Sequence, residues 1–154
     1  SFTPYVTVGI GAFSYDPYTY LNNEKIFLRP LGTEGQLVGY KGRKQYSPTG
    51  ICIPIGVGLK FSLSEKINFT MEVTQRLTNT DYLDDVSTTY AGSTNFTTGS
   101  TAALLQDRSY EIDRANLLGR EGRQRGFSKQ RDQYIIAEIG LSFNISTYRC
   151  PSAN

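Results

Sequence analysis

Residues 49–63 read TGICIPIGVGLKFSL, and their alternation decides the fold. Ile51, Ile53, Ile55, Val57, Leu59, Phe61 and Leu63 fall on one side of an extended chain, and Cys52, Pro54, Gly56, Gly58, Lys60 and Ser62 on the other. Successive side chains of a strand point to opposite faces, so a period of two predicts a strand with one apolar face and one small or polar face. Beyond a short Ser64-Glu65-Lys66 turn the pattern resumes, with Ile67, Phe69, Met71, Val73 and Leu77 opposed to Asn68, Thr70, Glu72, Thr74 and Arg76. The two stretches are expected to form a hairpin.

The same alternation recurs towards both ends. Residues 3–13, TPYVTVGIGAF, set Val6, Val8, Ile10 and Ala12 against Tyr5, Thr7, Gly9 and Gly11. From about Gln133 to Ile145, Ile135, Ala137, Ile139, Leu141, Phe143 and Ile145 oppose Tyr134, Glu138, Gly140, Ser142 and Asn144. Roughly four antiparallel strands in up-and-down order result, and the fold class is all-β. Pro54 lacks the N–H that a ladder needs, so an edge position or a bulge is expected near it. Each strand runs to about 11 residues, the length that crosses a bilayer at barrel tilt, whereas soluble strands run nearer 5 or 6. Periodicity alone leaves a second account open, in which the apolar face is the core of a soluble sandwich.

Loop lengths favour the membrane. Barrels of this kind join short periplasmic turns to long extracellular loops. Here residues 14–48 and 78–132 are long connections and 64–66 is a tight one. Four strands cannot enclose a lumen, and an open edge in lipid leaves backbone groups unsatisfied at several kcal/mol each. The smallest common barrel has about eight strands. The expectation is therefore an antiparallel up-and-down transmembrane β-barrel of which residues 1–145 form the C-terminal half. Roughly four further strands would lie upstream of Ser1, and residues 146–154 would form a periplasmic tail.

Composition narrows the function classes. The hydrophobic fraction of 38% fits a barrel, whose lipid-facing and lumen-facing residues average out. A net charge of +2 gives no footprint for nucleic acid. There is no histidine, which removes the usual general base and the commonest metal ligand. No catalytic constellation, cofactor motif or metal motif is legible, so the chain reads as non-enzymatic.

Three loop stretches are more specific than any periodicity: Pro30-Leu31-Gly32-Thr33-Glu34-Gly35-Gln36, the run from Thr80 to Tyr90, TDYLDDVSTTY, and Asp107-Arg108-Ser109. With the FTPYVTVGIGAF, IPIGVGLKFSL and IIAEIGLSFN strands in that order, the chain resembles the PorG family along its whole length. The resemblance implies a component of the type IX protein secretion system in the outer membrane of Bacteroidetes, a machine also tied to gliding motility. It implies that the barrel anchors a periplasmic ring of the lipoprotein PorK with PorN. The chain departs from the family in lacking its N-terminal strands and in continuing past Phe143 with the tail NISTYRCPSAN.

Candidate residues follow from this topology. The periplasmic contact is assigned to Ser64, Glu65 and Lys66 in the turn and to Tyr148, Arg149 and Cys150 in the tail. Cys52 and Cys150 fall at opposite ends of the expected barrel, too far apart for a disulfide, so Cys150 is a candidate for an intermolecular one. Thr33, Glu34, Asp81, Asp84, Asp85, Asp107 and Arg108 are candidates for ordering the loops. Asp81, Asp84 and Asp85 also resemble a hard-cation ligand set but lack the spacing and turn glycine of a calcium loop, and local hydrogen bonding is the favoured role. Residues 108–131 are locally basic, a candidate contact for lipopolysaccharide phosphates or a solvated loop. A small channel is the alternative function, with Lys60, Glu72, Arg76 and Glu138 lining the lumen.

Overall fold

The computed structural model describes residues 2–145. Its elements are β1 (Phe2–Val8), β2 (Gly11–Ser14), β3 (Tyr18–Leu21), β4 (Glu24–Phe27), β5 (Thr49–Ser62), β6 (Ile67–Thr78), a short helix α1 (Thr101–Leu105) and β7 (Gln133–Phe143). The chain is all-β apart from α1 and a few 3-10 turns. The main sheet runs in the order β1-β5-β6-β7, with β2 also paired to β5, and β3 with β4 forms a separate two-stranded sheet. The β1–β5 and β6–β7 pairs are antiparallel, with Tyr5 opposite Gly58 and Glu72 opposite Glu138. The calls on Ser146–Asn154, including Tyr148, Arg149 and Cys150, lie outside the described residues.

The chain divides into two compact units. Of the described residues, the first holds 2–11, 52–77 and 133–145, and the second holds 12–51 and 78–132.

In the first unit the alternation read from the sequence is realised with an unusual orientation. Val6 is 81% exposed and Ile139 76%, and Val8, Ile55, Val57, Val73 and Leu141 on the same side are likewise exposed. The opposite side is the covered one: Cys52, Asn68 and Thr74 are buried, as are Gly56 and Gly58. A strand in a soluble sandwich buries the apolar side instead.

The first strand differs from the continuous one expected over residues 3–13. It is interrupted at Gly9 and Ile10, between β1 and β2. The reason sits on the neighbouring strand. Gly9 N–H donates to the Pro54 carbonyl at 3.1 Å, but Pro54 has no N–H to return the bond. Pro54 thus lies inside an unbroken central strand, against the expected edge position or bulge, and the interruption falls on the neighbouring strand instead.

In the second unit the long connection 14–48 carries the β3–β4 hairpin. Asn22 and Asn23 both have positive φ, 52° and 68°. That is the requirement of a two-residue turn that matches strand twist, and asparagine tolerates it better than most residues. Lys25 Nζ lies 3.9 Å from the centroid of the Tyr18 ring, tying the two strands on one side. The connection 78–132 holds α1, whose N-cap Ser100 accepts from the Ala103 N–H at 3.2 Å.

Candidate functional site

Two polar constellations stand out, one in each unit. On the covered face of the sheet, Gly58 has no side chain, and the Tyr5 ring of the paired strand fills the space a Cβ would need. Tyr5 thereby reaches across β5 and donates its hydroxyl to Glu72 Oε2 at 2.9 Å. Thr7 and Thr74 donate to Glu72 Oε1 at 3.0 and 2.9 Å. Directly opposite Glu72 in the ladder stands Glu138. Like charges directly opposite each other destabilise a strand pair, and the three hydroxyl donors offset that only on the Glu72 side. Further along, Arg76 lies opposite Tyr134, its guanidinium 5.8 Å from the ring centroid. Lys60 is exposed near the other end of β5. A concavity of about 980 Å³ takes in Tyr5, Gly58, Glu72 and Glu138.

The second unit is organised around a carboxylate with no solvent exposure. Glu34 is 0% exposed, as are its neighbour Thr33 and Asp85. The Gly32-Thr33-Glu34-Gly35 stretch puts Glu34 there by a tight bend, with φ of +60° at Gly32 and +81° at Gly35. Gly35 also packs where a Cβ would lie 2.6 Å from that of Tyr40, so only glycine fits. Isolated, a buried carboxylate would be expensive, and it persists by pairing and hydrogen bonding. Glu34 Oε1 accepts from the Ser87 N–H at 2.9 Å, and Oε2 from the hydroxyls of Thr88 and Tyr82 at 3.3 and 3.4 Å. Arg43 and Arg125 flank it at 3.7 and 3.6 Å.

Both arginines are themselves built in. Arg43 donates to the carbonyls of Glu34 and Thr89, each at 2.7 Å, and to the Thr89 hydroxyl at 2.6 Å. Arg125 donates to the Thr33 hydroxyl at 2.8 Å and to the Asp85 carbonyl at 3.3 Å. The carboxylate of Asp85 accepts from Thr33 and, at 2.8 Å, from the Tyr46 hydroxyl. Tyr46 stacks on Tyr82 with ring centroids 4.7 Å apart and on Tyr15 at 5.9 Å. Burial pushes the Asp85 carboxyl above its ordinary value, and hydrogen bonds from Thr33 and Tyr46 counter this only in part. Burial, then the hydrogen bond to Asp85, raises the Tyr46 phenol strongly.

The loop candidates thus fall in several places. Thr33, Glu34 and Asp85 share the buried cluster. Asp81 adjoins it through the Ser87 hydroxyl, at 2.5 Å. Asp84 stays local, accepting from the Val86 N–H at 3.0 Å. The Asp81, Asp84 and Asp85 carboxylates do not converge, and among the described residues no group of acidic, histidine or cysteine side chains is arranged to hold a metal ion. Asp107 orders a different part of the loop, accepting from the N–H groups of Ser109 at 2.9 Å and Gly119 at 2.7 Å. Burial works to raise its carboxyl, but those amides hold it below the ordinary value. Arg108 pairs with Glu111 at 2.6 Å and donates to the Thr19 hydroxyl at 2.7 Å.

At the turn, the N–H groups of Leu63 and Ser64 donate to the Ile67 carbonyl, and Asn144 bonds the carbonyls of Glu65 and Lys66. Ser64, Glu65 and Lys66 are exposed and lie beside the end of β7. Cys52 is a buried free thiol on the covered face of the sheet.

Sequence reading missed Arg43, Tyr46 and Tyr82 as cluster members and gave Arg125 only a surface role. The available signal was Glu34 itself: a carboxylate set between two glycines in a tight bend approaches other backbone closely and needs cations. No family model, curated protein or solved structure matches this chain.

Proposed function

We propose that this chain supplies part of an outer-membrane β-barrel that acts without enzymatic activity as a PorG-like component of the type IX secretion system, anchoring a periplasmic PorK/PorN ring. The observation that carries the membrane reading is the orientation of the main sheet. Val6, Ile55, Val57, Val73, Ile139 and Leu141 on one side are exposed, while Cys52, Gly56, Gly58 and Thr74 on the other are buried. Apolar surface left in water forfeits about 25 cal/mol per Å² of burial, and lipid removes that penalty. Strands of 14, 12 and 11 residues in β5, β6 and β7 suit the same solvent. Lipid would leave the backbone groups of the β1 and β7 edges unsatisfied, so the reading requires further strands to pair with them.

The secretion role rests on the loop and strand motifs that resemble the PorG family. In this reading the exposed Ser64-Glu65-Lys66 turn, with the tail beyond Ile145, meets the ring on the periplasmic side. The exposed guanidinium groups of residues 108–131 meet lipopolysaccharide on the other side. The test is a pull-down from detergent-solubilised outer membranes, comparing the intact chain with one cut after Ile145. A lipoprotein ring that co-purifies only with the intact chain is the expected result, and a barrel that comes down alone in both forms would end the anchor role.

A channel is the second reading, favoured by the Glu72–Glu138 pair on the side of the sheet that carries the glycines and threonines. It predicts cation-selective conductance in planar bilayers that Glu138→Gln reduces. An eight-stranded lumen filled by its own side chains conducts little.

A further inference from the structure

The second unit contains a cavity apart from the ion cluster, within the basic stretch that the proposed function turns towards lipopolysaccharide. It is an open depression of about 490 Å³ between the start of the 3-10 turn at Ser93 and the loop from Gln106 to Glu121. That size falls in the usual range for small-ligand sites, about 300–1,000 Å³. Its walls are fixed by hydrogen bonds rather than by apolar packing. The Asp107 carboxylate clamps the Gly119 N–H at 2.7 Å, the Ser109 hydroxyl accepts from the Leu118 N–H at 2.9 Å, and Asp113 accepts from the Ala115 N–H at 2.8 Å. At Gly119 a Cβ would collide with Asp107, so the loop closes on itself as tightly as backbone allows.

Two features of this cavity lack partners inside the protein. Gln106, which lines both this cavity and a smaller one beside Tyr90 and Arg108, is 4% exposed, and its side-chain oxygen has no hydrogen-bond donor. A buried acceptor without a donor keeps its full desolvation penalty, which a ligand hydroxyl or amine would remove. Arg114 and Arg120 also line the cavity, are exposed, and form no ion pair among the described residues. Their neighbours Arg108 and Arg125 are by contrast fully engaged, with Glu111 and with Glu34.

We infer that this cavity binds a phosphorylated saccharide, with Arg114 and Arg120 on the phosphate and Gln106 accepting from a sugar hydroxyl or amine. Guanidinium matches phosphate oxygens in a bidentate fork. The hydroxyls of Ser93 and Thr94 complete a wall suited to a polar ring. Only Ala115 and Leu117 offer apolar side chains, too little surface for an acyl chain and enough for one face of a sugar. The single acid without a structural duty at the rim, Glu121, discourages a polyanion and leaves room for one phosphate beside an amine. The ligand is a lipopolysaccharide headgroup or a free sugar phosphate, which share this chemistry. The inference rests on the outer-membrane reading for the first source and is independent of it for the second.

The experiment is calorimetric titration of the full chain in detergent with glucosamine 1-phosphate and, separately, with lipopolysaccharide before and after dephosphorylation. Arg114→Ala with Arg120→Ala should weaken binding at least tenfold. Arg123→Ala with Arg131→Ala removes the same charge outside the cavity and should change it less than threefold. Gln106→Leu should also lower affinity while leaving the melting temperature equal or higher, since it deletes an unmet acceptor. That combination separates binding from a structural role. Binding of the sugar phosphate alone identifies a soluble ligand, and binding of lipopolysaccharide that disappears on dephosphorylation identifies the headgroup. No binding of either probe, equal losses in the two arginine pairs, or retention after dephosphorylation overturns the proposal. Failure of the chain to partition into membranes would end the anchor reading and leave the sugar phosphate result standing.

Discussion

The two units invert the usual relation between polarity and burial, and they do so in different ways. In the sheet, the covered face is lined with glycine, threonine and a hydrogen-bonded glutamate, and the apolar side chains are exposed. In the loop unit, the largest fully buried side chains are Glu34, Thr33 and Asp85. The sheet keeps its polar groups satisfied through repetition: small residues leave room for hydroxyls from the next strand. The loops do it with one dense cluster in which each buried charge has its own donors or cations. A repetitive arrangement tolerates the loss of one member, whereas a buried ion cluster does not.

The largest effect should therefore come from Glu34. Glu34→Ala takes the ion-pair partner from both Arg43 and Arg125, leaving Arg125 only the more distant Asp85 and Asp107, and breaking a buried pair costs about 3–5 kcal/mol. Hydrogen exchange should speed up in residues 31–43 and 85–90 while the amides of β5 and β6 keep their protection. Uniform loss across both regions would merge the two units into one cooperative block and break the comparison.

Gly35→Ala comes next. It forces an L side chain into φ of +81° against Tyr40, where unfavourable backbone alone costs about 1–3 kcal/mol. Its exchange pattern should match that of Glu34→Ala, because Gly35 sets the bend that delivers the carboxylate. A change confined to the sheet would contradict that.

In the sheet, Gly58→Val evicts the Tyr5 ring, an overpacking penalty of about 1–3 kcal/mol. Tyr5→Phe, which keeps the ring and deletes the bond to Glu72, should cost less. Denaturant melts of the two variants in the same detergent would rank them, and equal losses would mean the hydrogen bond rather than the packing dominates.

The smallest expected effect is on pH. The Asp85 carboxyl is raised in the folded state, chiefly by burial, as are those of Asp81 and Asp132. The folded loops then hold protons that the unfolded chain has released. Stability from these groups is complete below the ordinary value of 3.8 and is lost as pH rises through the raised values. Between pH 4 and pH 7 the loops should exchange faster as pH rises, after correction for intrinsic rates. Asp85→Asn, which also tolerates the φ of 67° at this position, should flatten that trend. Asp107 is shifted the opposite way and works only at the acid end.

Much of the sheet was legible because one constraint, a period of two, acts along Thr49–Ser62, Ile67–Thr78 and Gln133–Phe143. The break at Gly9 was not, since it arises from the missing N–H of Pro54 on another strand. The β3–β4 hairpin was overlooked because YTYL-NN-EKIF has no apolar face, although the Asn22-Asn23 pair carries the turn signal. In the loops, Thr33, Glu34 and Asp85 could be singled out from their stretches of sequence. Their partners could not: Arg43 and Arg125 are joined to Glu34 by folding across connections that no local pattern encodes.

The central claim is that the exposed side of the main sheet faces lipid. Nitroxide labels at Val57 and Ile139 on that side, and at Thr70 and Gly140 on the other, would test it in reconstituted bilayers. The account predicts that oxygen dissolved in the lipid relaxes the first pair strongly while a water-soluble nickel chelate does not reach them. Efficient relaxation of Val57 and Ile139 labels by the chelate, with oxygen giving no advantage over the Thr70 and Gly140 labels, would contradict it.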